Sequence, residues 1–298
     1  MIKFYRIINK TINLLNRYKL LNWVPDKIYI TVLFFARMRY RMNWKNPTSF
    51  NEKLNWMKLY DRKRLYSILA DKYEVKAFVE TVIGKEHVVP NIGVWNSFGE
   101  INFEKLPNQF VMKCTHNSGG IVICKDKMQL DIQDLKQKYE KLLKENYYPQ
   151  GREWPYKNIR PRIIIDELLD DHTAGDREIT LRDYKFWCFN GKPMYMYCTV
   201  KDKNIYENFY GTNFEAVQIN HGFERHQPEF EKPKNYEKML ELAEKLAIAS
   251  ESPFIRVDFF NVDGHIYFSE YTFYDWGGLR PFSSYEQDLE LGELISLP

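Results

Sequence analysis

The pattern of apolar and polar residues predicts a chain that mixes helices with paired strands. Ser49 and Glu52 have the spacing of a capping box, which predicts a helix over Phe50–Tyr60. Apolar residues at helical spacing predict further helices over residues 62–69, 71–83, 135–147 and 236–250. Short apolar runs predict strands over residues 110–114, 121–124, 163–165, 183–189 and 194–200.

The most informative local pattern is a strand–turn–strand over residues 254–260 and 265–273. Residues 262–264, Val-Asp-Gly, suit a three-residue hairpin loop with glycine in the left-handed conformation. A two-residue loop would change which residues share a face. In the three-residue register, four polar side chains project from one face of the hairpin: Arg256, Asp258, Glu270 and Thr272. Neighbouring carboxylates favour Mg²⁺ shared with phosphate. The alternative is a solvated hairpin in which Arg256 neutralises Asp258.

Composition places the chain among globular proteins. Its 298 residues are 44% hydrophobic and 28% charged, enough for one large domain or several small lobes. The four cysteines lack CxxC spacing, so we expect reduced, buried thiols in a cytoplasmic protein. No signal peptide is evident, and the longest apolar stretch, residues 28–36, falls short of the roughly 20 residues that span a bilayer. No nucleic-acid motif is present.

Charge is concentrated at the N-terminus. Residues 1–45 carry a net charge of +9, which leaves −6 for the rest of the chain. Aliphatic residues are interspersed, so the segment resembles a basic amphipathic helix that contacts an anionic membrane or an acidic glycan. The alternative is a helix packed on the domain with its basic side in water.

Four short constellations carry further chemistry, each with a plainer alternative. Lys113 precedes a Gly-rich turn at 115–120, which suits a phosphate-binding nest or an ordinary hairpin turn. Lys72 and Lys76 share a helix face that is by default solvated. The apolar run at 163–165 is followed by two acidic residues. This pattern suits a hinge that binds the nucleotide base, or a strand that runs out into water. Asp183 and Lys185 share a strand face and are compatible with a simple salt bridge.

The order of these pieces resembles the ATP-grasp superfamily, over residues 71–272. Flanking segments, among them residues 46–53 and 183–191, resemble its TupA-like branch, named for teichuronopeptide biosynthesis, from about residue 45 to 292. The resemblance implies an α+β fold, in which two α+β lobes clasp ATP and Mg²⁺, preceded by a helical basic extension. We accordingly expect a basic segment (1–45), a helical subdomain (46–106), a nucleotide-binding lobe (107–170) and a C-terminal lobe with the magnesium site (171–298).

The resemblance also implies a role for each matching residue. The nucleotide would be bound by Lys76, Lys113, Ser118, Gly119, Gly120, Asp166, Glu167, Leu169 and Asp183. Arg256 and Lys185 would act on the transferred phosphoryl group, and Mg²⁺ would be held by Asp258, Glu270 and Thr272. Thr272 departs from the asparagine of most ATP-grasp ligases, so a weaker hydroxyl ligand replaces an amide.

The activity implied is a carboxylate–amine ligase that works through an acyl phosphate and forms ADP. The branch suggests that it amidates a uronic-acid carboxyl of a cell-surface polysaccharide, or of a nucleotide- or lipid-linked precursor, with an amino acid or small amine. Tyr274, Trp276 and the Gly277-Gly278 turn would line the acceptor pocket or form a packed turn. The alternatives are a glycan kinase and a non-catalytic nucleotide-binding protein of a capsule pathway.

Overall fold

The computed structural model describes residues 2–169, 181–201 and 204–298. The boundary expected at residue 170 lies outside these ranges. The helices within them are α1 (Ile2–Arg17), α2 (Asp26–Met38), α3 (Phe50–Tyr60), α4 (Arg64–Ala70), α5 (Glu74–Ile83), α6 (Ile132–Leu142), α7 (Tyr148–Gly151), α8 (Tyr236–Ser250) and α9 (Tyr285–Glu293). The strands are β1 (Asn91–Trp95), β2 (Phe110–Cys114), β3 (Val122–Cys124), β4 (Ile163–Asp166), β5 (Asp183–Phe189), β6 (Lys192–Lys201), β7 (Ile205–Tyr210), β8 (Ala216–Val217), β9 (Phe254–Val262) and β10 (His265–Thr272).

Within the described residues the strands form two antiparallel sheets. The smaller sheet has the order β1-β4-β2-β3, and the larger has the order β10-β9-β5-β6-β7-β8. Because β1 pairs with β4, the boundary expected at residue 106 cuts through the smaller sheet and is wrong there. The two sheets approach each other near Glu270 of β10, whose carboxylate interacts with the charge of Lys113 on β2 and with that of Lys72.

Helices with a strong end signal match the predicted bounds. The Ser49 side chain accepts a hydrogen bond from the Glu52 amide, and the Glu52 side chain accepts one from the Ser49 amide. The predicted capping box therefore starts α3 as expected. Helix α8 also has its predicted bounds, with Met239, Leu242 and Leu246 buried. Helix α5, however, begins at Glu74, so Lys72 lies before the helix and the predicted helical face of two lysines is wrong.

A large aromatic core lies between the larger sheet and helices α3, α5 and α8. Phe50 of α3 stacks on Trp187 of β5 with ring centroids 5.1 Å apart, and it meets Phe254 of β9 edge-on at 4.9 Å. A smaller core, including Phe110, Tyr139 and Ile163, packs under the smaller sheet. Each sheet thus packs on its own hydrophobic core. Polar side chains lie where the two sheets approach each other.

The N-terminal helices pack on the body through only part of their apolar surface. Ile12 of α1 is buried with Tyr29, Ile30 and Leu33 of α2. Leu20 and Trp23, between the two helices, are 55% and 82% exposed. No helix of the described residues is both long and apolar enough to cross a membrane. The four cysteines are free and buried, as the sequence predicted.

Candidate active site

The β9–β10 hairpin reaches the predicted arrangement by a different route. Its turn has two residues, Asp263 and Gly264, whose φ values of 54° and 93° are both left-handed. The predicted three-residue loop is therefore wrong. The register then shifts between Phe268 and Glu270, because Ser269 is bulged out, and Glu270 pairs with Asp258. The four predicted side chains consequently do share one face.

The sequence contained a signal for this bulge. Ile266, Phe268, Glu270 and Thr272 are all even-numbered, so a regular strand would place them on one face. Yet Ile266 and Phe268 are 3% and 5% exposed in the core, whereas Glu270 lies with the polar group. A regular strand cannot place Phe268 in the core and Glu270 on the opposite face, because residues two positions apart share a face. The bulged residue between them, Ser269, allows both positions.

Arg256 is surrounded by three carboxylates. Its Nε and Nη2 donate to the two oxygens of Asp258 at 2.7 and 2.6 Å. Its Nη2 lies 3.3 Å from Glu270 Oε1, and its Nη1 donates to Asp275 Oδ1 at 2.5 Å and to the Tyr197 hydroxyl at 3.1 Å. Bidentate pairing of this kind fixes a guanidinium in both position and orientation.

The local charges shift the two predicted metal carboxylates in opposite directions. Burial raises the pKa of Asp258 above its ordinary value, although Arg256 opposes the shift. Burial would also raise the pKa of Glu270, but the charges of Lys72 and Arg256 outweigh it and lower the pKa. The Glu270 side chain remains 42% exposed within the cleft, whereas that of Asp258 is fully buried.

Strand β5 brings a second cation to the same face. Lys185 pairs with Asp258 in the ladder and forms an ion pair with Asp183, which confirms the salt bridge left open from the sequence. Burial would lower the pKa of Lys185, but Asp183 and Asp258 outweigh it and raise the pKa. Asp183 Oδ1 is buried without a hydrogen-bond partner among the described residues. Thr272 pairs with Arg256 across the ladder.

The smaller sheet gathers lysines around one acid. Asp166, 1% exposed, lies 3.1 Å from Lys76 Nζ and 3.0 Å from Lys113 Nζ. Lys76 also donates to the Val89 carbonyl at 2.7 Å. Burial lowers the pKa of Lys76, with a contribution from Lys113. The Asp166 carboxylate, assigned to the adenine hinge from the sequence, thus contacts both predicted nucleotide lysines.

The two other hinge residues follow β4 as loop. The Glu167 amide donates to the Pro90 carbonyl at 3.0 Å, and its side chain is exposed, whereas Leu169 is half-buried.

The Gly-rich turn joins β2 to β3 as predicted. Ser118 and Gly119 are exposed, and Gly119 and Gly120 have φ values of 107° and 70°. Lys72 donates to the Asn117 carbonyl at 2.6 Å, and burial lowers the pKa of Lys72. Sequence reasoning missed Lys72, because its i,i+4 relation to Lys76 indicated a solvated face. Its charge acts on Glu270, so Lys72 links the two sheets.

A strained turn follows β10. Trp276, Gly277 and Gly278 have left-handed φ values of 47°, 65° and 60°. Two side chains of α3 clamp it: Lys58 donates to the Gly277 carbonyl and Asn55 to the Gly278 carbonyl, each at 2.6 Å. Lys58 has no exposed surface, and burial lowers its pKa to about 8. The predicted acceptor turn is therefore rigidly held.

Comparison with known proteins agrees with this architecture. A family model described as TupA-like ATPgrasp matches residues 52–296. The chain belongs to the TupA-like ATP-grasp family. The α+β ATP-grasp fold expected from the sequence is thereby confirmed. No curated protein matches the chain.

Solved structures similar to this TupA-like chain are ATP-grasp ligases of low sequence identity. D-alanine–D-alanine ligase from Bacillus anthracis, complexed with ATP, is 16% identical with a TM-score of 0.39, over 71% of this chain and 56% of its own. The Helicobacter pylori D-alanine–D-alanine ligase is 16% identical with a TM-score of 0.43, over 84% and 70%. The ATP-grasp ligase PsnB, complexed with a precursor variant, Mg and ADP, is 12% identical with a TM-score of 0.40, over 74% and 57%. The chain spans little more than half the length of the first of these.

The residues present suit a metal that is shared with a nucleotide. Among the described residues, no group of three or more His, Cys, Asp or Glu side chains could hold a metal ion by itself. Asp258 and Glu270 supply only oxygen ligands and lie opposite each other in the ladder. Mg²⁺ prefers such oxygens and usually completes its shell with phosphate and water. This TupA-like site therefore fits Mg²⁺ bound together with ATP.

Proposed function

We propose that this protein is an ATP-dependent carboxylate–amine ligase. The observation that supports the proposal most directly is Arg256, held by Asp258, Glu270 and Asp275 on one side of a cleft whose other side presents Lys76 and Lys113. Two such charge groups suit a phosphoryl transfer, in which positioning and charge stabilisation dominate catalysis.

The proposed reaction has two steps. A carboxylate oxygen of the acceptor attacks the γ-phosphorus of ATP, the bond to the bridging oxygen breaks, and ADP leaves. The amine nitrogen then attacks the acyl carbon, phosphate leaves, and the amine releases a proton. Arg256 and Lys185 stabilise negative charge on the transferred group. Bound Mg²⁺, held by Asp258, Glu270 and Thr272, would neutralise the phosphate oxygens.

The remaining predicted residues bind the nucleotide in this proposal. Lys76 and Lys113 contact its phosphates, and the turn of Ser118, Gly119 and Gly120 closes over them with its amides. Glu167 and Leu169 border the base beyond Asp166. Asp183 accepts from the ribose, which suits its unpartnered buried oxygen.

The acceptor in this proposal is a uronic-acid carboxyl of a glycan or its precursor, and the nucleophile is an amino acid or small amine. Family membership supports the glycan pathway. Incubation with ATP, Mg²⁺, uronic-acid oligosaccharides and mixed amino acids tests it, with mass spectrometry of the products. An amide product with ADP and phosphate is expected. A stable phosphate ester would instead identify a glycan kinase, and absence of nucleotide turnover would favour a binding protein.

We also propose that the N-terminal helices contact an anionic membrane. Six of the sixteen large apolar side chains that are exposed in the described residues lie between residues 14 and 32, including Leu20 and Trp23. The basic Arg17, Lys19 and Lys27 are exposed beside them. Each basic residue contributes about 1 kcal/mol near an anionic surface.

Vesicle sedimentation tests this contact. Binding to anionic but not neutral vesicles is expected, with loss at high salt and in Trp23→Ser. Met128, 86% exposed in the nucleotide lobe, provides the control Met128→Ser. Failure to bind anionic vesicles at low salt would show that the helices serve packing alone.

A further inference from the structure

Arg280 lies beside two aromatic rings that contact each other, with their centroids 5.3 Å apart. Its guanidinium lies 4.0 Å from the centroid of Phe223 and 5.5 Å from that of Trp276. Its Nε donates to the His221 carbonyl at 2.7 Å, and it forms no ion pair within the described part of the chain. Burial lowers the pKa of Arg280, with only partial opposition from Glu207. A partly desolvated cation without a counter-ion is costly unless a ligand completes it.

The neighbouring Trp276 is presented by a backbone that costs free energy. Its φ of 47° is rare for a bulky residue, and such strain clusters at functional sites. The clamp of Asn55 and Lys58 on the next two carbonyls holds the turn in place. The ring is nevertheless 39% exposed, so the clamp does not serve to bury it. A held, exposed indole is a surface for stacking.

This platform connects directly to the reaction centre. His221, whose carbonyl accepts from Arg280, has its Nε2 3.8 Å from Asp275 Oδ2. The other Asp275 oxygen accepts from Arg256 at 2.5 Å. Glu207 completes the chain by lying 2.8 Å from His221 Nδ1. Two buried residues therefore separate Arg280 from the arginine assigned to phosphoryl transfer.

We propose that Arg280, Trp276 and Phe223 form a subsite for a carboxylated sugar ring of the acid substrate. This inference rests on the proposed ligase function and deepens it. The guanidinium pairs with a carboxylate, and the indole stacks on the apolar face of the ring. The positive charge repels an ammonium group, so this subsite receives the acid and not the amine.

The place of Arg280 has a consequence for substrate size, because the carboxylate that it binds in this proposal is not the one that reacts. Arg256 and Lys185 are the residues proposed to act on the phosphoryl group, whereas Arg280 is separated from Arg256 by Asp275 and His221. Arg280 therefore binds a neighbouring acidic residue of the glycan. An acceptor with at least two uronic acids is favoured over a single sugar.

Binding to the subsite is testable without turnover. Protein labelled with ¹⁵N at tryptophan is titrated with di-galacturonate, its methyl ester and a sugar phosphate, and the Trp276 indole signal is assigned with Trp276→Phe. Di-galacturonate is expected to shift this signal with an affinity at least roughly tenfold above that of the ester, the effect of a charge-assisted hydrogen bond. Arg280→Gln should abolish the difference, and Arg280→Lys should keep part of it.

Arg64, which is exposed, supplies the matched control Arg64→Gln. Equal responses to acid and ester, a response to the sugar phosphate alone, or no response to di-galacturonate would each overturn the proposal. If Arg280 only supports His221, both Arg280 variants would lower thermal stability equally without changing the acid preference. ATP–Mg²⁺ binding by the same sample, measured separately, reports on the ligase proposal independently.

Discussion

The two sides of the candidate site carry opposite charge. On one side, Lys76 of α5 and Lys113 of β2 form ion pairs with Asp166, and Lys72 donates to the Asn117 carbonyl in the Gly-rich turn. On the larger sheet, Arg256 and Lys185 lie among four carboxylates: Asp183, Asp258, Glu270 and Asp275. One half has an excess of cations and the other an excess of anions.

The difference shows what each half lacks. In the lysine-rich half, burial lowers the pKa of Lys72 and Lys76, which is the response of cations short of counter-ions. In the carboxylate-rich half, burial raises the pKa of Asp258. Phosphate would stabilise the first half and a divalent cation the second. Mg²⁺–ATP supplies both in one ligand.

Neutralising the carboxylate-rich half should produce the largest effect. We expect Asp258→Asn and Glu270→Gln each to lower ATP turnover roughly a hundredfold or more, because each removes one oxygen charge from the proposed metal site. Steady-state ADP formation measures the effect. Asp263→Asn, in the exposed turn of the same hairpin, should behave as wild type. Near-normal turnover in either test variant would refute the metal assignment.

Removing a cation from the lysine-rich half should affect binding more than chemistry. We expect Lys113→Met to weaken Mg²⁺–ATP binding about tenfold, since a charge-assisted contact is lost while Lys76 still partners Asp166. Isothermal titration measures the affinity, with exposed Lys125→Met as control. An unchanged affinity would contradict the assignment of the phosphates to the lysine-rich half.

How well the sequence predicted each half depended on the range of the interactions. Helices α3 and α8 were predicted to the residue because capping and periodicity are local. The shared face of Arg256 and Glu270 was predicted, although through a turn that does not exist. Lys72, His221, Asp275 and Arg280 were missed as site residues because only tertiary packing brings them to the cleft. Strand order in the smaller sheet, where β1 joins β4, was hidden for the same reason.

Lys58 extends the comparison to a cation outside both halves. Because its pKa is lowered to about 8 in the folded chain, the unfolded chain binds more protons above that pH, and stability rises with pH up to the ordinary lysine value. We expect wild type to gain roughly 2 kcal/mol relative to Lys58→Met between about pH 8 and pH 10. Urea unfolding across this range measures it. Exposed Lys45→Met is the control, and a pH-independent difference would contradict the prediction.

The smallest expected effect concerns the Gly-rich turn between the halves. We expect a non-hydrolysable ATP analogue with Mg²⁺ to slow amide exchange of residues 115–120 several-fold, because closure over phosphates excludes water from the glycine amides. Hydrogen–deuterium exchange with mass spectrometry measures it, and residues 122–124 of β3 give the internal reference. Unchanged exchange at 115–120, with the analogue demonstrably bound, would refute closure.

The bulge at Ser269 also bears on how this hairpin changes length in evolution. Removing Ser269 would leave Phe268 opposite Phe259 and Glu270 opposite Asp258, so both faces of β10 would keep their side chains in place. Deleting one of the paired residues, such as Phe268 or Glu270, would instead remove a side chain from the core or from the site. A related sequence that lacks only Ser269 would therefore keep the same side chains on each face of the hairpin. A motif defined by a fixed distance from the Asp263-Gly264 turn to Glu270 would overlook such a sequence.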